Sequence, residues 1–173
     1  MLLVTARRLV ALAAPVALLA ACSGGDAADP VAEGTAAAVA AGEAPPILKE
    51  REENFEAIGA AFKAIRGQLE ADAPDFALIA AKATDINTRA QAIPNHFPVG
   101  TSTADGFKTE ALPTIWEKPE EFKAAAQKLI NESAKLASLA PGGDKAAVAA
   151  QAMAMGGTCK GCHDTFRLDD EKK

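Results

Sequence analysis

The chain has 173 residues, of which 49% are hydrophobic, and this length suits one domain with its own core rather than two. Its formal net charge of -5 argues against a surface that binds nucleic acid or anionic lipid, since both need clustered basic residues. Aromatic residues make up only 5% of the chain and tyrosine is absent, so close-packed helices are favoured over a sandwich of β-branched strands.

The N-terminal residues 1–21 are typical of a bacterial export signal. Arg7 and Arg8 precede an uncharged apolar run from Leu9 to Ala21, which is too short to span a bilayer as a mature helix. The small residues before Cys22 resemble a lipoprotein processing site, at which this cysteine is acylated and becomes the mature N-terminus. Ordinary signal cleavage near the same point stays open as an alternative. Either cleavage removes both arginines and leaves a net charge of about -7.

Residues 22–46 are predicted to form a flexible tether. From Ser23 to Pro46 the segment consists of Gly, Ala, Pro, other small residues and scattered acids, without lysine, arginine or aromatic side chains. It has little to bury, so it should not fold, and its root-mean-square reach is roughly 25 to 30 Å. The folded domain is therefore predicted to be residues 47–173, and it contacts the membrane only through the lipid.

Four longer helices are predicted from apolar residues that recur at intervals of three and four. The first runs from about Ile47 to Glu70, and the second from about Pro74 to Ala92, with Asp72 and Pro74 as start residues. The third begins with Pro119, and Asp144 caps the fourth. Together they predict an all-α, antiparallel four-helix bundle. The predicted inward positions are Leu48, Phe55, Ile58, Phe62, Ile65 and Leu69; Phe76, Ile79, Ala83, Ile86, Ala90 and Ile93; Phe122, Ala126, Leu129, Ser133, Leu136 and Ala140; and Val148, Ala152, Met155, Cys159, Cys162 and Phe166.

A long crossover, residues 94–118, joins the second and third of these helices. It is rich in proline and glycine, and a short helical turn is predicted near Leu112 to Trp116. Long loops in compact domains usually cover part of the body. We therefore interpret His96 and Trp116 as loop residues that pack against the bundle, and we do not expect His96 to bind a metal.

The fourth helix carries the pentapeptide Cys159-Lys160-Gly161-Cys162-His163, which predicts covalent attachment of a haem. Residues three and four apart share a helix face, so Cys159, Cys162 and His163 address one flat ligand. The thiols can add to the two vinyl groups of a porphyrin, and the imidazole can bind the iron. Because the motif lies on the inward stripe, the haem is predicted to enter the bundle.

A structural zinc site and a thioredoxin-type dithiol can also use a Cys-x-x-Cys spacing, but the sequence favours neither. A structural zinc site usually needs four ligands in two pairs, and only Cys22 and His96 remain outside the motif as further soft ligands. A thioredoxin-type dithiol lies in a strand-helix-strand setting, whereas the surroundings here are alanine-rich and helical. Gly156 and Gly157 precede the motif, and they either make room for the porphyrin or mark a kink.

Arg51 places a charge on the inward stripe of the first helix, three residues after Leu48. A snorkelling side chain and a shift in helix register both account for such a charge. With a haem nearby, a propionate is the natural partner of this guanidinium.

The complete pattern resembles the class II c-type cytochromes, and most of all cytochrome c', in which the haem motif lies in the last helix. The resemblance covers about Ile47 to Leu168. Its matching pieces are Arg51 with Phe55; Phe97-Pro98-x-Gly100-Thr101; Lys108-Thr109-x-Ala111-Leu112-Pro113-x-Ile115-Trp116; and Cys159-Lys160-Gly161-Cys162-His163-Asp164-x-Phe166-Arg167. The last block is the specific one.

The resemblance implies a role for each matching residue. Cys159 and Cys162 would hold haem c by thioethers, with one haem per chain, and His163 would be the proximal iron ligand. Arg167 would lie beside the imidazole as the family's basic proximal residue does.

On the other side of the iron, the resemblance implies that Arg51 pairs with a propionate and that Phe55 occupies the distal position. Phenylalanine has no lone pair for the iron, so a five-coordinate, high-spin haem is expected. Met153 and Met155 are poor replacements, because they lie on the helix that bears the haem and are typical core-filling residues. An apolar distal face should admit nitric oxide or carbon monoxide in preference to anions.

The sequence therefore predicts a periplasmic, membrane-tethered lipoprotein that binds nitric oxide and turns over no substrate. The alternative is a periplasmic electron-transfer cytochrome with a redox partner protein, since the iron is redox-active in either spin state. Peroxidase chemistry is disfavoured because Phe55 cannot act as a distal base. The resemblance also implies a homodimer, although the alanine-rich faces do not indicate which surfaces meet.

Overall fold

The computed structural model describes residues 44–169. The predicted export signal, Cys22 and all but the end of the predicted tether lie outside this range and stay predictions. Within it, the protein is an antiparallel four-helix bundle with one additional short helix in the crossover. The helices are α1 Pro46–Glu70, α2 Phe76–Ala92, the short α3 Thr114–Glu117, α4 Pro119–Leu139 and α5 Lys145–Phe166. Among these described helices, none is both long enough and apolar enough to span a membrane.

Side-chain caps set the starts of α2 and α5, and the start of α2 differs from the prediction. The carboxylate of Asp75 accepts a hydrogen bond of 2.9 Å from the backbone N–H of Leu78, so α2 begins at Phe76. Asp72 and Pro74 therefore lie before the helix and are not its start residues, because the residue that precedes the first turn is the one that can cap it. The predicted cap of α5 is confirmed, since Asp144 accepts hydrogen bonds from two backbone N–H groups of the first turn.

The predicted inward stripes of α2 and α4 are confirmed, and Ile58 and Ile65 of α1 are buried as predicted, but two other predicted positions of α1 are not central. Asn54 and Ala61 are buried in α1, whereas Phe55 and Phe62 are only partly buried. The amide of Asn54 donates to the carbonyl of Arg89 on α2, which turns this face of α1 toward the centre of the bundle. Phe62 consequently lies beside Gly156 of α5, whereas Phe55 packs against Phe97 of the crossover.

The crossover holds one end of the bundle together. It contains two short 3-10 helices, Ile93–His96 and Thr103–Asp105, and the predicted helical turn appears slightly later than expected, as α3. Neighbouring long helices pack closely, except that α1 and α5 contact each other much less than the other pairs do. The α1–α5 seam is therefore the place where the bundle can accommodate a flat ligand.

Candidate functional site

Cys159, Cys162 and His163 lie together on the last two turns of α5. Both cysteines are free thiols, and both are partly buried against the hydrophobic core. His163 is more exposed, at the same end of the helix. The structure therefore places two thiols and one imidazole at one end of α5, with the thiols packed against the core and the imidazole exposed.

The surroundings disfavour the charged forms of these groups. It raises the pKa of the Cys159 thiol, and burial together with the neighbouring Cys159 raises the pKa of Cys162 to about 11. Burial also lowers the pKa of His163, and the positive charge of Arg167 lowers it further. A neutral imidazole has the free lone pair that a metal ligand needs. The arrangement thus suits a single histidine ligand flanked by two thiol anchors.

Arg51 lies inside the site and is only 5% exposed. Its guanidinium donates to the carbonyl oxygen of Thr101 at 3.1 Å and to the hydroxyl of Thr109 at 2.8 Å, and its Cζ lies 4.7 Å from the centre of the Phe97 ring. Burial lowers the pKa of this guanidinium. The head group is enclosed, so the snorkelling interpretation is wrong.

These partners of Arg51 leave a buried positive charge to be balanced. They are neutral oxygens and an aromatic ring, and within residues 44–169 no carboxylate forms a salt bridge with Arg51. A buried guanidinium with neutral partners is most stable when an anion is close by. The carboxylate of a haem propionate meets this requirement.

Aromatic rings fill the interior beside Arg51. Phe97 lies at their centre, with its ring 4.8 Å from that of Phe122 and 6.2 Å from those of Phe55 and Trp116. Phe122 also packs edge-on against Phe166 near the end of α5, at 5.3 Å. Phe55 is thus the outer member of an apolar cluster, one helical turn after Arg51.

The segment that follows α5 is tied to the crossover. The backbone of Leu112 donates to the carbonyl of Phe166 at 3.0 Å, and that of Leu168 donates to the carbonyl of Glu110 at 2.8 Å. Between these bonds, Nε of Arg167 donates to the carboxylate of Glu110 at 2.5 Å. Arg167 follows His163 by one helical turn, and its backbone N–H donates to the carbonyl of His163 at 3.1 Å.

Sequence reasoning identified the anchors but not their surroundings. Thr101 and Thr109 belong to the blocks that carry the resemblance, yet nothing in their spacing shows that they enclose Arg51. Glu110 stands at an unspecified position of its block and carries no sequence signal at all.

Trp116 packs as expected, with its indole N–H donating to the carbonyl of Phe97 at 3.1 Å. His96 has a buried Nδ1 for which no hydrogen-bond partner is found among the described residues.

The residues at the site fit a covalent haem better than a bare metal ion. Within the described part of the chain, no three His, Cys, Asp or Glu side chains are grouped so that they could hold a metal ion. The site instead combines two thiols, one neutral imidazole, a buried guanidinium and an apolar edge. These are the donors that thioether attachment, axial ligation and a propionate require.

The comparisons with known proteins agree with this set of donors. The sequence pattern of the family described as Cytochrome C' matches residues 46–167. A cytochrome c' from Pararhodospirillum photometricum is 39% identical over 120 residues, which is 69% of this chain and 94% of that protein. A cytochrome c-556 from Agrobacterium fabrum is 38% identical over 134 residues, covering 76% of this chain and 85% of that protein.

Solved structures support the fold. The nitric oxide complex of a mutant cytochrome c' from Alcaligenes xylosoxidans superposes with a TM-score of 0.64 at 26% identity. The match covers 72% of this chain and 95% of that one. The bundle and the position of its haem motif are therefore those of a known group of proteins.

Proposed function

The chain belongs to the cytochrome c' family and carries covalent haem c, and from this premise we propose that it is an exported haem protein whose five-coordinate, high-spin iron binds nitric oxide. Carbon monoxide is expected to bind at the same place. The observation that carries the proposal is the position of Phe55, an apolar ring on α1 beside the buried Arg51. The complex of the Alcaligenes xylosoxidans relative supports nitric oxide as the ligand.

Four residues of the site would hold the cofactor. Cys159 and Cys162 anchor it through thioethers, His163 is the proximal ligand, and Arg51 binds a propionate. When bound, haem c supplies a redox-active iron that has one open axial position if His163 is its only protein ligand. His163 is exposed, whereas the guanidinium of Arg51 is buried, so these two residues of the proposed site differ in their access to solvent.

Phe55 decides what the open side of the iron accepts. Its ring packs against Phe97 and offers neither a lone pair nor a hydrogen-bond donor. An apolar face makes the approach of an anion or of water costly, because neither finds a hydrogen-bond partner there. A small neutral gas does not need a hydrogen-bond partner.

Met155 is fully buried and Met153 is 72% exposed on α5, so neither methionine is placed to reach the distal side.

Electron transfer is the second candidate function. The relatives include proteins named cytochrome c' and cytochrome c-556, so family membership alone does not choose between gas binding and electron exchange. The observation that favours electron transfer is the exposure of His163, because a proximal ligand near the surface brings the iron close to a docking partner. Slow electron exchange between the iron and a partner protein would contradict electron transfer as the function.

The spectra of the purified protein test the proposal. Absorption spectra should show high-spin iron in both oxidation states, EPR should show a high-spin signal from the ferric form, and titration with nitric oxide should form a tight complex. Phe55→Met offers a sulfur ligand at the same place and should convert the iron to a low-spin form, whereas Phe55→Leu should leave it high-spin. A wild-type spectrum with a methionine or histidine as sixth ligand would refute the gas-binding proposal.

Export and lipid attachment are proposed from the N-terminal sequence. Cys22 is the proposed acylation site, and the mature protein would be periplasmic and tethered to the membrane by that lipid. Mass spectrometry of the mature protein tests this, with Cys22→Ser as the control that should release the protein from the membrane fraction. An N-terminus downstream of residue 22, or an unmodified Cys22, would contradict the lipid anchor.

A further inference from the structure

Two adjacent residues of the crossover contact both sides of the proposed haem site. Thr109 accepts a hydrogen bond from Arg51 of α1, and Glu110 accepts one from Arg167, just after α5. The distal and proximal flanks of the site are therefore tied to neighbouring positions of one chain segment. Thr109 bonds to the residue that is proposed to bind a propionate. Glu110 bonds to the residue that lies beside the proposed iron ligand.

The pair of Glu110 and Arg167 differs from an ordinary surface ion pair. Both side chains are partly exposed, at 37% and 40%, but their backbones are fixed to each other. Ala111 and Arg167 form an antiparallel bridge, and hydrogen bonds to Phe166 and from Leu168 lie on either side of it. Since the backbone is already ordered, holding the two side chains together costs less conformational entropy than it does in a flexible surface pair.

The pair is also close to the proposed iron ligand. Arg167 lies one helical turn after His163, and its backbone N–H donates to the carbonyl of His163 at 3.1 Å. Groups beside a metal-bound histidine set its orientation and its electron donation to the metal. The exact place of the Arg167 guanidinium therefore matters for the iron.

We propose that Glu110 is a positioning residue, which holds the guanidinium of Arg167 beside the ring of His163 and so sets the reduction potential of the iron. The inference rests on the proposed haem site, because it requires His163 to be the proximal ligand. Without Glu110, the guanidinium of Arg167 loses the charge-assisted hydrogen bond that orients it, and its position relative to the imidazole changes. Glu110 then acts chiefly through Arg167 rather than through its own charge.

Midpoint potentials of the holoprotein test the proposal as a double-mutant cycle. In the wild-type background, Arg167→Gln should lower the potential, because a nearby positive charge disfavours the ferric state. In the Glu110→Ala background, Arg167→Gln should produce a clearly smaller shift, since the carboxylate that orients the guanidinium is gone. An Arg167→Gln shift of the same size in both backgrounds would overturn the proposal.

Asp164 provides a matched control. It follows His163 directly in the chain, but its carboxylate accepts a hydrogen bond from Lys160 at 2.6 Å. The shift caused by Arg167→Gln should therefore persist in an Asp164→Ala background. Loss of that shift in Asp164→Ala as well would show that any nearby carboxylate has the same effect, and would overturn the specific role of Glu110.

A second readout does not depend on the potential. The Nε proton of Arg167 should exchange with solvent about tenfold faster in Glu110→Ala than in the wild type, because a charge-assisted hydrogen bond is lost. NMR of the reduced, carbon monoxide-bound protein is suitable, since that form is diamagnetic. If Glu110→Ala fails to fold, Glu110→Gln replaces it in both measurements and should at least halve the Arg167→Gln shift. Unchanged proton exchange would overturn the proposal.

Failure of this inference is distinguishable from failure of the gas-binding proposal. A sixth protein ligand in the wild-type spectrum refutes gas binding, yet the cycle is still measurable because His163 binds the iron in either case. Additive shifts in a protein with five-coordinate iron refute only the role of Glu110.

Discussion

The guanidinium of Arg51 on α1 donates a hydrogen bond of 2.8 Å to the hydroxyl of Thr109, which lies 58 residues later in the crossover. A second bond, to the carbonyl oxygen of Thr101, holds the same head group from another direction. The crossover therefore closes over a buried cation, and the anion that this cation needs is best supplied by a haem propionate. This relationship makes the crossover part of the proposed cofactor site.

Arg51→Met should destabilise the ferric holoprotein by about 1–3 kcal/mol, because hydrogen bonds from a charged donor are lost inside the protein. Urea unfolding followed by haem absorbance measures the change. Arg66→Met is the control on the exposed face of α1, where a pair with Glu70 at 3.9 Å should contribute at most about 0.5 kcal/mol. If both substitutions lowered the free energy of unfolding by the same amount, the enclosure of Arg51 would contribute no additional stability.

Phe55→Ala should increase the rate of carbon monoxide uptake by about tenfold, which corresponds to removing a steric barrier of about 1.4 kcal/mol. Flash photolysis of the reduced protein measures the rate. Phe62→Ala removes the ring two turns further along α1 and should leave the rate nearly unchanged. If the Phe55→Ala rate equals that of the wild type, Phe55 does not cover the distal face.

Phe55→His should raise peroxide turnover by a factor of about 100 or more, because it adds a distal base that can move a proton to the leaving oxygen. Oxidation of a small aromatic donor by peroxide measures the turnover. The wild-type protein should be nearly inactive in the same assay. Substantial wild-type turnover that survives Arg51→Ala would contradict the claim that the distal side lacks a catalytic base.

Gly157→Ala should stabilise the protein by about 0.5–1 kcal/mol, since a methyl group there meets no atom within 4 Å and glycine disfavours helix. Gly156→Ala should gain less, because its methyl group would come 3.1 Å from Cζ of Phe62. Thermal unfolding of both variants measures the difference. Reduced haem attachment in Gly157→Ala would show instead that this glycine makes room for the porphyrin.

Ser102→Ala should raise the pKa of Asp105. The hydroxyl and the backbone N–H of Ser102 donate to the Asp105 carboxylate at 2.5 and 2.8 Å, and these bonds lower its pKa. Because the folded-state pKa is the lower one, the stabilisation that they provide is present at neutral pH and is lost as the pH falls through that pKa. Carboxyl NMR titration checks the shift, and an identical titration curve in the variant would contradict it.

Much of the fold was predictable because helices depend on local spacing. The inward residues of α2 and α4 lie at intervals of three and four, and the structure buries nearly all of them. On α1 the same rule chose Phe55 and Phe62 for the centre, whereas Asn54 and Ala61 occupy it. Periodicity locates an apolar face only to within about one residue, and the size of the neighbouring side chains decided which residue fits against α2.

The sequence by itself determined the helices and the chemistry of α5, since the spacing of Cys159, Cys162 and His163 places them on one helix face whatever surrounds them. Only the tertiary structure decided which oxygen atoms enclose Arg51 and which carboxylate holds Arg167. Those partners lie 50 to 58 residues away, in a crossover without periodicity. Contacts of this kind arise when separate helices pack together, and no local pattern encodes them.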